Sequence, residues 1–341
     1  MLSGAAEETK RILVACHEIA VAGGLYRFER FGRIIQKSGS LLSFVAFSET
    51  PQRVRRTDFP VLSFEDAARE TWDITMVPGA GFPERTIRRF AEFISPCFGL
   101  RVQHILNDQT RKHSFLEVNR AFEPDIVVVN NRHWLPTDLS DFRAEALYFL
   151  EGAVDAEGLA GAPRRYDGSR SGPFVVGGLA NKNVEPLVEA VRICGRGVRL
   201  HLLGQAGDLA ERKRELVGDG ILLLSGVLRE CELPHFYAGL DCVVHTETFA
   251  GWANVAAEGM ASGVPVICTP HGTLAFAEHE TTALVVSDPM PAALAEAIQR
   301  LRDDPDLANR LACNAQQWIQ RFSWTSYSSD LLRLMRLPRV T

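Results

Sequence analysis

The amino-acid sequence predicts an α/β protein with two doubly wound domains, and three observations support this fold class. The chain has 341 residues, enough for two domains of roughly 150 residues each. Short apolar runs alternate with amphipathic, helix-like segments, which is typical of parallel sheets covered by helices. Residues 156–173 interrupt this alternation with Gly, Pro, Ser and Arg, and we interpret them as a linker. We therefore expect two Rossmann-like sheets that face each other across a cleft.

The first predicted domain covers residues 11–155 and follows a polar stretch, 1–10, that we expect to be loose. An amphipathic helix is expected over residues 25–37, directly after the pair Gly23-Gly24. The predicted strands of this domain are the apolar runs 11–15, 41–47, 74–77, 102–106, 126–129 and 146–150.

The second predicted domain covers residues 174–335 and repeats the same alternation. Its predicted strands are 174–176, 200–203, 221–224, 242–245 and 264–268. Its predicted helices are 183–193, 209–217, 232–238, 254–262 and 292–302. The pattern leaves open whether the last helix packs within this domain or returns to the first one.

Composition excludes several classes of protein. Hydrophobic residues make up 46% and charged residues 23%, so the chain is neither mostly disordered nor fibrous. The net charge is −5, from 37 Lys and Arg against 42 Asp and Glu, which does not favour nucleic acid as a partner. No apolar run approaches the roughly 20 residues that span a bilayer. The N-terminal residues also lack the apolar core of a signal peptide.

The cysteines and basic residues bear on where the protein works. Seven cysteines are scattered without Cys-x-x-Cys spacing, which indicates reduced thiols in a cytoplasmic protein and no zinc site. Nine histidines show no metal-binding spacing either. Basic clusters at 53–56 and 85–89 could contact anionic lipid at the inner face of the membrane, or a charged acceptor. A solvated surface is the favoured interpretation of both clusters.

Residues 246–269 are the most informative stretch for function. A predicted strand ends at His245, a loop with Gly251 follows, and a helix begins near Asn254. The first N–H groups of a helix at the carboxyl edge of a sheet can bind an anion, at roughly 0.3–1 kcal/mol per favourable charge. Glu258, one turn further along, could accept hydrogen bonds from both hydroxyls of a ribose. The alternative is that Gly251 only turns the chain and Glu258 is a solvated helix residue.

This stretch resembles the nucleotide-sugar site of the retaining, GT-B-fold glycosyltransferases of family 4, also called glycosyl transferases group 1. The family pattern is Glu-Gly-Phe-Gly, four residues, then Glu-Ala-Met-Ala-x-Gly-x-Pro-Val. Residues 250–253 read Ala-Gly-Trp-Ala, and residues 258–266 read Glu-Gly-Met-Ala-Ser-Gly-Val-Pro-Val. The resemblance covers about residues 174–335, including the 176–182 segment that is similar to a phosphate loop. In the first domain it is looser, with Gly23 and Gly24 in the place of a glycine-rich loop.

The resemblance implies a set of site residues and a reaction. It implies a metal-independent transfer of a sugar, with retention, from a UDP- or GDP-linked donor that is a substrate, with no cofactor. The acceptor is left open among a glycan, a lipid-linked molecule, a peptide and a small molecule, and the oligomeric state is unknown. The implied donor-binding residues are Gly23, Gly24, Gly178, Lys182, Gly251, Trp252, Ala253, Asn254 and Glu258. On the acceptor side it implies Asn130, Asn131 and His133, although a polar loop is the favoured interpretation of His133.

Three departures from the family pattern concern polar groups of the site. The usual phosphate-binding Arg is Gly178, although Lys182 remains. The first glutamate of the paired Glu-x7-Glu is Ala250. The usual acceptor-side His is Asn107 or Asp108, which become tentative catalytic residues. Glu247 could take the place of the lost carboxylate and is the third tentative catalytic residue, although an exposed loop glutamate is the favoured interpretation.

Two alternatives to a glycosyltransferase remain from the sequence. The three departures favour a non-catalytic relative that binds a nucleotide sugar and acts as a partner subunit. A nucleotide-sugar epimerase or a phosphorylase on the same fold is the third hypothesis. It is weaker because the motifs are those of family 4.

Overall fold

The computed structural model contains two compact units, one formed by Met1–Ala153 with Trp324–Thr341 and the other by Val154–Ser323. Each unit is built on one parallel sheet, so the predicted fold class is confirmed. The structure describes residues 9–16, 23–46, 57–78, 99–106, 112–130, 141–160, 172–204 and 221–335.

The first unit contains a seven-stranded sheet in the order β3-β2-β1-β4-β5-β6-β7. Its strands are β1 (Arg11–Cys16), β2 (Leu41–Ala46), β3 (Val61–Leu62), β4 (Ile74–Pro78), β5 (Leu100–Ile105), β6 (Ile126–Val129) and β7 (Ala146–Phe149). The helices described in its N-terminal part are α1 (Gly23–Ile35), α2 (Phe64–Ala68) and α3 (Lys112–Phe122). All paired strands are parallel, as in the register Val102↔Ile126 and Ile126↔Ala146.

The apolar runs become strands because both faces of the sheet are covered. All four residues of β6, Ile-Val-Val-Val, are buried, which is expected for a central parallel strand made of β-branched residues. One face of the sheet packs against Phe28 and Phe31 of α1, and the other contacts Val118 and Phe122 of α3. β3 has only two residues, which is too short for a period to predict.

The second unit contains a six-stranded parallel sheet in the order β10-β9-β8-β11-β12-β13. Its strands are β8 (Phe174–Leu179), β9 (Val198–Leu203), β10 (Leu222–Leu224), β11 (Cys242–His245), β12 (Val266–Cys268) and β13 (Leu284–Val285). Its described helices are α4 (Ala156–Ala160), α5 (Glu185–Cys194), α6 (Leu233–Ala238), α7 (Asn254–Ala261), α8 (Pro291–Asp303) and α9 (Pro305–Ile319). The predicted helix 209–217 lies outside the described residues.

The places where the chain enters and leaves the second unit differ from those that the predicted linker implies. Residues 156–160 lie in the predicted linker but form α4, because Ala156 and Leu159 are buried in the core of this unit. The last helix, α10 (Trp324–Met335), belongs to the first unit, where Tyr327 and Leu331 join its core. The chain therefore enters the second unit at Val154 and leaves it at Ser323, and these two residues form an isolated parallel bridge.

Both sheets have a topological switch point, where successive connections run to opposite sides. In the first sheet it lies between β1 and β4, and in the second between β8 and β11. In open parallel sheets, ligands bind in the crevice at the carboxyl ends of the strands at such a point. The loops after β8 and β11 are therefore the first place to look for a site.

Candidate functional site at the strand ends of the second sheet

Hydrogen bonds join the two loops at the switch point of the second sheet. The Asn183 side chain donates from Nδ2 to the Thr246 carbonyl oxygen at 2.7 Å. The Thr246 hydroxyl lies 3.1 Å from the Lys182 carbonyl oxygen and 2.7 Å from that of Asn183. Asn183 has φ +47°, a left-handed conformation that Asn tolerates better than most residues. These contacts fix the backbone that carries Lys182.

Lys182 and Glu247 form an ion pair between the same loops, with Nζ and Oε2 3.5 Å apart. The Lys182 side chain is 51% exposed, whereas that of Glu247 is only 15% exposed. The sequence favoured an exposed loop glutamate at 247, but the structure encloses most of its side chain. Two residues that the sequence singled out separately are thus brought together. The lysine is the more accessible of the two charges.

The start of α7 supplies hydrogen-bond donors at the end of the loop that follows β11 and carries Glu247. N–H groups in the first turn of a helix have no partner within that helix. Ala253, which precedes Asn254, provides no side-chain cap and donates its own N–H to the Gly272 carbonyl oxygen at 3.0 Å. The positive end of the α7 dipole therefore lies in the loop that follows β11, where it can stabilise an anion.

Glu258, on the second turn of α7, is held by a tyrosine from another helix. The Tyr237 hydroxyl of α6 donates to Glu258 Oε2 at 2.6 Å. Tyr237 is completely buried, and burial followed by the Glu258 charge raises its pKa well above the ordinary value, so the phenol stays protonated. The Glu258 side chain is partly exposed, while Ala257 and Gly259 on either side are buried.

His245, the last residue of β11, is a buried neutral imidazole. Burial, followed by electrostatic repulsion from the neighbouring His271 and Lys182, lowers its pKa to about 3. Thr269 uses its hydroxyl proton in a 2.6 Å bond to the Glu247 carbonyl oxygen. At 3.4 Å, Thr269 Oγ1 can therefore only accept from His245 Nδ1–H. Nε2 then carries a lone pair, and it has no hydrogen-bond partner among the described residues.

The loop between β11 and α7 also contains residues that stabilise the core. Trp252 is 8% exposed, and its ring packs 4.7 Å from that of Phe276 and 5.4 Å from that of Phe322. Gly251 and Ala253 are also buried. The structure therefore leaves the backbone of this loop, rather than the Trp252 ring, as the part that a donor could contact.

Gly178 lies inside β8, where a side chain would meet tight contacts with the core. A Cβ atom there would lie 3.0 Å from Leu187 Cδ2, 3.2 Å from the Val244 carbonyl oxygen and 3.3 Å from Leu202 Cδ2. The arginine that the family pattern has at this position cannot be restored without moving the backbone or core side chains.

The predicted residues of the first unit are only partly described. Gly23 and Gly24 form the start of α1, so a helical turn stands where the pattern predicted a loop. Asn130, after β6, is buried and donates from Nδ2 to the Leu106 carbonyl oxygen at 2.8 Å. Asn107, Asp108, Asn131 and His133 lie outside the described residues, as do the basic clusters at 53–56 and 85–89.

A buried polar group that the sequence did not single out lies in the first unit. His104 of β5 and the Tyr327 hydroxyl are 2.8 Å apart, and the Arg27 guanidinium lies 5.5 Å from the Tyr327 ring centre. Burial and the Arg27 charge hold the pKa of His104 well below its ordinary value. The contacts attach α10 to α1 and to the sheet. Arg27, His104 and Tyr327 are far apart in the sequence, so no sequence period could have predicted that they meet.

The described residues contain no group of three or more His, Cys, Asp or Glu side chains arranged to hold a metal ion. Within the same part of the chain, no helix is both long and apolar enough to cross a membrane.

The part of the chain that contains this site matches a known family model. Residues 173–304 match the family model of glycosyl transferases group 1. The matched residues lie within the second unit, and they include Lys182, Glu247, the start of α7 and Glu258.

Curated relatives match the chain over a limited part of their length. The D-inositol 3-phosphate glycosyltransferase of Corynebacterium urealyticum is 33% identical over 111 residues, which are 32% of this chain and 26% of that protein. The enzyme of the same name from Xylanimonas cellulosilytica is 30% identical over 163 residues, 44% of this chain and 38% of that protein. The matches thus span about a quarter to two fifths of these relatives.

Solved structures share the fold over nearly the whole chain. Anabaena HepE, solved in complex with UDP and glucose, has a TM-score of 0.77 at 17% identity, covering 96% of this chain and 99% of that one. Sucrose-phosphate synthase from Thermosynechococcus elongatus has a TM-score of 0.74 at 17% identity, covering 96% and 98%. The fold is therefore that of the two-domain, Rossmann-like GT-B glycosyltransferases.

Proposed function

We propose that this protein transfers a sugar from a nucleotide-sugar donor to an acceptor, and that the second unit binds the donor. The observation that carries the proposal is that Lys182 follows β8 and the start of α7, without a side-chain cap, follows β11, and these two strands are neighbours at the switch point of the second sheet. Both favour an anion of the size of a diphosphate. The match of residues 173–304 to glycosyl transferases group 1 supports the assignment.

The donor geometry follows from these elements. The diphosphate accepts hydrogen bonds from the first N–H groups of α7 and from Lys182 Nζ, which is half exposed and can turn towards it. Glu258, one turn further along, accepts hydrogen bonds from the ribose hydroxyls. HepE is described in complex with UDP-glucose. We extend this to the present chain as a preference for a UDP-linked donor over a GDP-linked one.

The chemical step needs negative charge to be stabilised on the leaving diphosphate. Lys182 and the α7 dipole supply this stabilisation as the bond between the anomeric carbon and the phosphate oxygen breaks. Glu247 holds Lys182 in the crevice until the diphosphate competes for it. Retention of configuration and independence from metal ions are part of the proposal and rest on the resemblance to family 4. The acceptor is assigned to the first unit, near the carboxyl end of β6 where Asn130 lies.

Nucleotide release from a panel of donors tests this function. The protein is incubated with UDP-, GDP- and dTDP-sugars, and free nucleoside diphosphate is measured with and without extract-derived acceptors. The expected result is slow release from one donor, accelerated by acceptor, and its loss in the Lys182→Ala variant. No release from any donor by a protein that also binds none would contradict the proposal.

A second candidate is a nucleotide-sugar-binding partner subunit without transfer activity. It is favoured by Gly178, which supplies no cationic side chain and is tightly packed, and by Ala250, which offers no carboxylate. The same panel separates the two candidates. Tight binding of one donor without release, in the presence of acceptors, would favour the partner subunit.

A further inference from the structure

Tyr237 is the partner of Glu258, and its position is fixed by the core. The side chain is completely buried, and its ring lies 5.2 Å from the Phe236 ring in an edge-on arrangement. Its hydroxyl is therefore held at one point, 2.6 Å from Glu258 Oε2. This separation is within the short range of hydrogen bonds from a hydroxyl to a carboxylate.

The bond to Tyr237 restricts the rotamers of the Glu258 side chain. A glutamate on a helix surface has several rotamers, and fixing one of them costs conformational entropy. Because Tyr237 is rigid, the Glu258 carboxylate has one preferred orientation before any ligand arrives. A carboxylate offers about four lone-pair positions, so the bond to Tyr237 is compatible with further hydrogen bonds from a ligand.

We propose that Tyr237 is a positioning residue that orients the Glu258 carboxylate for the ribose hydroxyls of the bound nucleotide. The inference rests on the proposed function and adds a residue on α6 that itself contacts no ligand. It differs from a purely structural tie between α6 and α7, which would affect stability but not the discrimination between nucleotides. The ordering of Glu258 before binding removes part of the entropy that the complex would otherwise lose.

The test is the affinity ratio between UDP and 2′,3′-dideoxy-UDP, measured by calorimetry. Tyr237→Phe removes only the hydroxyl and keeps the ring that packs in the core. We expect it to weaken UDP binding about five- to ten-fold, as for the loss of one hydrogen bond, and to leave dideoxy-UDP binding unchanged. The double variant should have the same affinity ratio of UDP to dideoxy-UDP as Glu258→Gln alone, because the tyrosine acts through the glutamate.

Tyr327→Phe is a matched control. Tyr327 is also buried and its hydroxyl also has a side-chain partner, His104, but it lies in the first unit. It should not change the ratio. A Tyr237→Phe protein that folds and keeps the wild-type ratio would overturn the positioning role while the proposed function stands. Wild-type protein that binds none of UDP, GDP and dTDP would overturn the proposed function and this inference with it.

Discussion

Lys182 and Glu247 meet across the two loops of the switch point, with Nζ and Oε2 3.5 Å apart. An ion pair at this distance whose lysine is half exposed contributes little to folding, on the order of 0–1 kcal/mol. The ion pair matters for its position, because it holds a cation at the carboxyl ends of β8 and β11. A diphosphate with two negative charges would compete with one carboxylate for the same ammonium group.

Replacing Lys182 with alanine should therefore weaken the binding of the preferred nucleoside diphosphate. Loss of a charge-assisted hydrogen bond costs roughly 1.5–3 kcal/mol, or about ten- to a hundred-fold in Kd. Isothermal titration calorimetry measures the effect. Arg199→Ala is the control, because Arg199 is an exposed cation on β9. Equal affinities of wild type and Lys182→Ala would remove this lysine from the site.

A side chain at position 178 should destabilise the second unit rather than improve binding. Gly178→Ala places a Cβ against Leu187, Leu202 and the Val244 carbonyl oxygen. We expect a loss of about 1–3 kcal/mol in the free energy of unfolding, measured with urea. The double variant that adds Leu187→Val should lose less than the sum of the two single losses, because Leu187 Cδ2 is the atom nearest to the added Cβ. An unchanged unfolding midpoint for Gly178→Ala would show that the sheet can make room.

His245 should make stability depend on pH. Its folded-state pKa of about 3 is below the ordinary 6.5, so the unfolded state binds the proton first as the pH falls. The contribution of the neutral imidazole to the free energy of unfolding is fully present above pH 6.5 and is lost as the pH falls from about 6.5 to 3. Near pH 5 the loss is about 2 kcal/mol, at about 1.4 kcal/mol per unit.

The measurement compares urea unfolding at pH 7 and pH 5 in wild type and in His245→Gln. Between pH 7 and pH 5, the decrease in the free energy of unfolding should be about 2 kcal/mol smaller in the variant than in wild type. The pKa values of His104 and His201 are lowered as well, but both residues remain in both proteins, so the comparison isolates His245. Identical pH dependence in the two proteins would mean that His245 is not held neutral.

The alternation of apolar runs predicted the two parallel sheets because a strand buried on both faces has to be continuously apolar. Ile126–Val129 is the plainest case, since it was predicted with the bounds that the structure gives. Two-residue strands such as β3 and β13 were missed, because a period needs more residues than they contain. The sequence did not predict the short helix α4, because its two buried residues, Ala156 and Leu159, stand beside a polar linker.

Local sequence indicated Lys182, the helix start near Asn254 and Glu258, since each lies beside a turn signal or a motif. It did not give their partners. Tyr237 and Glu258 are 21 positions apart, and Asn183 and Thr246 are 63 apart. These pairs are set by how the sheet brings its loops together. The Glu247 pair with Lys182 and the tautomer of His245 depend on the same long-range packing.

The most direct test of donor binding at this site is the role of Glu258 in ribose recognition. The binding of the preferred ribonucleoside diphosphate and of its 2′,3′-dideoxy form is measured in wild type and in Glu258→Gln. If Glu258 holds the ribose, the variant should keep its melting temperature and lose roughly 1.5–3 kcal/mol of binding free energy for the ribose form. The dideoxy form should bind both proteins about equally. A variant that prefers the ribose form as strongly as wild type would contradict the placement of the nucleotide in this crevice.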